Sequence, residues 1–179
     1  MGAPKGSTIN SASAGALSVT TPTEREIRMT RLFDAPRRLV YDAMTKPELV
    51  KQWLFGPPGW TFAVCEIDLK VGGAFRYVWR GPTGQDMGMR GVFQEVKAPE
   101  RIVQTEVFDD PWYPGEAIGT LVLTEQGDKT LLTLTMRYDS QATRDGVLKS
   151  GMEKGLGMSY DRLAKLLRTV GARTAGQKG

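Results

Sequence analysis

Across residues 140–170 the apolar side chains Leu148, Met152, Leu156, Tyr160, Leu163, Leu167 and Val170 recur at steps of three or four. That spacing stacks them on one face of a helical period and predicts a single long C-terminal helix. Charges such as Arg144, Lys149, Glu153, Asp161, Arg162 and Lys165 fill the other side. The helix would run ~45 Å, and so long a stripe needs a broad apolar surface to lie on. It also holds Gly146, Gly151, Gly155 and Gly157, each costly in a helix interior. They mark a bend, a close backbone approach, or open volume beside Met152 and Leu156.

The chain before the helix supplies the surface. From Trp60 to Asp139 the period is two. Strands are predicted over residues 61–70, 74–80, 87–96, 101–108, 117–125 and 130–139, most of them separated by Gly, Pro or Asp turns. The connections are too short for parallel crossovers, so neighbouring strands run antiparallel. The longest connection holds Trp112 and Tyr113 between two prolines and reads as a lid or rim. Upstream, residues 24–33 alternate as a first strand. Asp34 is placed to cap a helix with Pro36 in its first turn. Thr45 is placed to cap a second short helix, with Glu48 completing a capping box. The order predicts an α+β fold: a curved antiparallel sheet of six to seven strands wrapped around the long helix, with two short helices after the first strand.

The chain has no histidine and one cysteine, Cys65. This excludes Ser-His-Asp and Cys-His catalysis, zinc or iron sites built from Cys and His, and an intramolecular disulfide. A cytoplasmic, reducing setting is expected, with no metal and no cofactor. The net charge is +4, but Lys5, Arg173 and Lys178 lie in acid-free ends. Residues 23–170 hold 21 basic and 20 acidic side chains, so charge gives no support to nucleic-acid or membrane partners. No apolar run approaches the ~20 residues of a membrane span. Residues 1–22 and 171–179, rich in small residues, are expected to be disordered tails around one domain.

Phe75, Tyr77 and Trp79 share one face of a predicted strand; Met87, Met89 and Phe93 share one face of the next. Leu132, Leu134, Met136 and Tyr138 do so near the end of the sheet. The aromatic and methionine side chains of these faces (Phe75, Tyr77, Trp79, Met87, Met89, Phe93, Met136 and Tyr138), with Trp53, Trp60 and Trp112 and with Met152, Leu156 and Tyr160 above them, are the candidate lining of a cavity. Tyr77, Trp79, Arg90 and Tyr138 are the polar groups expected to orient a ligand. Glu66, Glu95 and Glu106 are expected to face water; one turned into the cavity would have a raised pKa and could act as a general base. Asp68 and Arg76 are placed to pair across a hairpin. Cys65 is expected to be a buried, inert thiol.

The ordered set Arg31-Leu-Phe-Asp-Ala-Pro36, Pro47-Glu-Leu49, Trp53, Cys65-Glu-Ile-Asp68, Gly72-Gly73, Gly91-Val-Phe-Gln-Glu95, Pro99-Glu-Arg101, Gly151-Met-Glu-Lys-Gly155 and Asp161-Arg-Leu163 resembles the START-like helix-grip superfamily. Within it, the set is most similar to the branch related to the activator of the ninety-kilodalton heat-shock protein's ATPase. The resemblance implies a hydrophobic cavity between the sheet and the C-terminal helix. Members bind lipids, polyketides, hormones and other apolar molecules; some are enzymes and some co-chaperones. Many carry Trp at the position of Leu156, so this chain departs from the family's pattern with a smaller side chain beside the implied cavity. The leading expectation is a non-catalytic module for a small to medium hydrophobic molecule. The alternatives are a metal-independent cyclase, dehydratase or hydrolase, and a co-chaperone with a chaperone partner.

Overall fold

A computed structural model of the protein describes residues 15–176. Its elements are β1 (Ser18–Thr20), β2 (Glu26–Phe33), α1 (Arg37–Thr45), α2 (Pro47–Val50), β3 (Thr61–Ile67), β4 (Ala74–Arg80), β5 (Asp86–Lys97), β6 (Arg101–Phe108), β7 (Ala117–Gln126), β8 (Lys129–Arg137), α3 (Gln141–Lys149) and α4 (Met152–Gly176). The strands form one antiparallel sheet in the order β1-β2-β8-β7-β6-β5-β4-β3. The fold is α+β and helix-grip, as expected, with eight strands. The extra one, β1, pairs with residues 28–30 of β2. Three residues are too few to show alternation, and β1 lies inside the segment expected to be a tail. For residues 1–14 and 177–179 that expectation lies outside the described residues.

The C-terminal stripe is carried by two helices rather than one. Ser140 caps α3 by accepting a hydrogen bond from the Thr143 amide at 3.1 Å. The chain then breaks at Gly151, whose φ of +82° is the left-handed conformation that glycine adopts freely after a helix end. α4 starts afresh and continues to Gly176, past the expected end at Val170. Its stripe docks as the spacing predicts: Ser159, Tyr160, Leu163 and Leu167 are buried. Tyr160 stands edge-on to Phe33 of β2 at 5.7 Å and tilted over Trp53 at 6.0 Å. Each such side chain contributes about 1.5–3 kcal/mol through burial.

Two caps differ from expectation. The residue before α1 is Pro36, with no side-chain cap, so Asp34 plays no such part. Thr45 is the last residue of α1, and its hydroxyl donates back to the Tyr41 carbonyl at 2.7 Å. Lys46 occupies the position before α2. Pro47 holds its first turn without a capping box. Among the described residues, no helix is long and apolar enough to cross a membrane.

The core has two parts. The larger joins Phe33, Val40 and Trp53 to Phe75, Phe93, Tyr160 and Leu163. The smaller gathers Ile27, Met29, Ala117, Met136, Tyr138 and Val147. The candidate site draws its walls from both.

Candidate functional site

Under α4, on the concave side of the sheet, lies a cavity of about 430 Å³. Tyr77 and Trp79 of β4 and Met87, Met89 and Phe93 of β5 form one wall. Met136 and Tyr138 come from the far end of β8, and Trp53 from the segment after α2. Val147 of α3 and Met152, Leu156, Ser159 and Tyr160 of α4 form the roof. Trp112, half exposed, stands at the rim with Tyr113, so the β6–β7 loop borders the opening as expected.

Two expected positions fall outside. Phe75 is fully buried against Tyr77 and Phe93, with ring centroids 5.0 and 5.6 Å away, and belongs to solid core. Trp60 precedes β3 and packs on the loop at Gly56, where a β-carbon would come within 3.2 Å of its own. Its direction is set by that loop and not by strand alternation.

The polar groups also differ. Trp53 donates its indole N–H to the Ala43 carbonyl at 2.9 Å, and Trp79 donates to the Leu54 carbonyl at 2.7 Å. Both are committed to the backbone and have no donor left for a ligand. Arg90 lies on the outer face, where it and Arg76 both bond Asp109. Arg76 therefore pairs with Asp109, not with Asp68, which pairs with Lys70 at 3.2 Å. Tyr77 and Tyr138 remain, and Tyr113 joins them.

Glu106, expected to face water, lies in the cavity wall instead. Alternation along β6 puts Ile102, Gln104, Glu106 and Phe108 in the cavity wall and turns Val103 and Val107 away. The two valines make the opposite face look like the inner one, which is why the pattern misleads. The register explains how the carboxyl fits. Glu106 pairs with Ala117 and Gln104 with Gly119 on β7, so its cross-strand neighbours are small. Among the described residues, no ion pair or hydrogen bond engages the Glu106 side chain. Its apolar surroundings strip it of water and push the carboxyl up to about 7. Burial, and then the Glu106 charge, raise the phenols of Tyr113 and Tyr138 above their ordinary range. Glu66 is exposed, and Glu95 pairs with Arg101 at 3.1 Å. Cys65 is buried, and burial pushes its thiol up to about 11, the inert state expected of it.

Gly151 and Gly155 border a second space, not the cavity itself. This groove of about 580 Å³ lies between the loop at residues 55–58 and the start of α4. Leu54, Trp79, Met87 and Ser159 border both spaces. Arg162 closes one side, its guanidinium 3.9 Å from the Phe55 ring centroid and donating to the Phe55 carbonyl at 2.7 Å.

Known proteins give the arrangement its context. The model of the family described as Activator of Hsp90 ATPase homolog 1-like protein matches residues 34–168. A crystal structure of a protein from Rhodobacter sphaeroides has a TM-score of 0.81 at 28% identity, over 86% of this chain and 98% of that one. A protein from Nitrosomonas europaea gives 0.75 at 26% identity, over 85% and 99%. CalU16 from Micromonospora echinospora, at 23% identity and a TM-score of 0.56 over 90% of each chain, shares the fold alone. No curated protein matches the sequence significantly.

Proposed function

The chain belongs to the Activator of Hsp90 ATPase homolog 1-like family, and on that premise we propose that it binds a small to medium hydrophobic molecule between sheet and α4. The observation that carries this reading is the cavity. Its volume lies within the roughly 300–1,000 Å³ range of small-molecule sites. Apart from the tyrosine hydroxyls and the committed indoles of Trp53 and Trp79, its polar side chains among the described residues are Thr45, Gln104, Glu106, Ser159 and, at the rim, Trp112. Burying a ligand's apolar surface there contributes about 25 cal/mol per Å² before the cost of association. The methionines at residues 29, 87, 89, 136 and 152 let the wall adapt to an irregular shape. The cytoplasm is the setting we propose, supported by the single, buried Cys65.

The test is native mass spectrometry of protein purified without detergent, followed by titration with apolar probes. A co-purified molecule, or saturable uptake of one probe per chain, is the expected result. Neither would sink the reading.

Glu106 favours a second reading, a metal-independent acid–base enzyme in the same cavity. A carboxyl near 7 can both give and take a proton at neutral pH. Chemical change of the bound molecule that Glu106→Gln abolishes would move this reading ahead. A chaperone partner rests on the family's description alone.

A further inference from the structure

Among the described residues Glu106 has no counter-ion, and no Lys or Arg lines the cavity to supply one. The other titratable groups in the wall are the phenols Tyr77 on β4, Tyr113 in the β6–β7 loop, Tyr138 after β8 and Tyr160 on α4; β2, β5, β7 and α3 bring none. Other carboxylates on or beside the sheet have a cation or water: Asp86 pairs with Arg80, Glu95 with Arg101 and Asp109 with Arg76 and Arg90, while Glu66 is exposed. A half-buried carboxylate in an apolar wall, left without a partner, is costly, and a cation brought in by a ligand removes that cost.

The rings beside Glu106 favour the same kind of ligand. Phe108, Trp112, Tyr113 and Tyr138 form a continuous edge-to-face chain, with successive centroids 6.0, 4.8 and 5.5 Å apart. Aromatic faces and phenol oxygens attract a cation. For a neutral ligand Glu106 is redundant, because the phenols already offer donors and acceptors that no protein group engages among the described residues. Charge is what Glu106 alone adds to the wall.

We propose that the cavity selects apolar molecules bearing a protonated amine, with Glu106 as the amine's counter-ion and the Trp112–Tyr113–Tyr138 rings packed around it. The proposal rests on the binding reading above and names the ligand class of that site.

The experiment displaces N-phenyl-1-naphthylamine, a neutral fluorescent probe, with decylamine, decanol or decanoate, all below their aggregation limits. In wild type at about pH 8, decylamine should displace the probe at a concentration roughly tenfold or more below decanol's, the scale of a charge-assisted hydrogen bond, with decanoate weakest. Glu106→Gln should bring the amine and alcohol close together. Near-UV circular dichroism checks that the variant is folded. A second arm needs no variant: the amine's advantage in wild type should shrink between about pH 8 and about pH 5.5, as Glu106 takes up its proton while the amine and the four phenols keep theirs. Decanol binding with no gain for decylamine at pH 8, or a gain that Glu106→Gln leaves intact, overturns this inference alone. If neither naphthylamine nor decanol binds wild type, the binding reading falls, and this one with it.

Discussion

Arg31 and Asp161 join β2 to α4 through an ion pair of 2.7 Å between Nη1 and Oδ1. The pair is lopsided: the arginine is buried and the aspartate is exposed. Arg31 also lies 5.3 Å from the Phe33 ring centroid, and its Nε has no partner among the described residues. Its charge therefore depends on a carboxylate that water reaches freely.

Asp161→Ala should cost about 1–3 kcal/mol, because it leaves a buried guanidinium unpaired. Arg31→Met with Asp161→Ala should recover much of that loss. Urea unfolding of the two single variants and the double variant gives the coupling. A coupling near zero would mean that the pair does not hold the helix.

Glu106 should give stability an unusual pH dependence. Its carboxyl lies at about 7 in the folded protein against an ordinary 4.5, so the folded state keeps a proton that the unfolded state releases. The resulting stabilisation is fully present below about pH 4.5, is lost as pH rises to about 7, and is flat above, with a ceiling of about 3 kcal/mol. The depressed carboxylates Asp86, Glu100 and Asp109 act in the opposite sense, at lower pH. Melting wild type and Glu106→Gln from pH 5 to 8 isolates the effect. The difference between them should change across that range; parallel curves would place the carboxyl in water.

Leu156→Trp should occupy the cavity. Leu156 is only partly buried and lines the roof, so added bulk has space to enter. Binding of an apolar probe should fall by tenfold or more while the melting temperature holds. In a full core the same change would cost roughly 1–3 kcal/mol through overpacking, and the melt would show it.

Gly151 and Gly155 should respond oppositely to alanine, although a β-carbon at either would meet nothing within 4 Å. At Gly151 the φ of +82° strains any side chain, so Gly151→Ala should destabilise by about 1 kcal/mol. Gly155 lies inside α4, and Gly155→Ala should stabilise by about 0.5–1 kcal/mol. Equal effects in a paired denaturant titration would contradict the helix break.

What the sequence disclosed depended on periodicity. The bounds of β4 and β6 follow from alternation between clear turns, and Leu163 and Leu167 dock as their spacing predicts. The helix break was not legible, because the apolar stripe stays in phase across Ser150 and Gly151. Nothing local distinguishes a glycine inside a helix from one ending it. The inward facing of Glu106 was hidden for a related reason. Alternation names two faces of a strand but not which one is inner, and Val103 and Val107 argued for the wrong one. The small residues at Ala117 and Gly119 were the available signal, and they act only through a register that sequence does not supply.

The four tryptophans are unevenly placed. Trp53 and Trp79 are buried in the cavity wall with their N–H groups on carbonyls, Trp60 is partly covered, and Trp112 alone stands half in water at the cavity mouth. The protein thus carries a native optical sensor at its entrance. A molecule settling beside Tyr113 would dry the one indole that stands half in water, shifting emission to the blue with no label attached. Trp112→Phe would silence that signal, so occupancy of the entrance could be read separately from changes deeper in the fold.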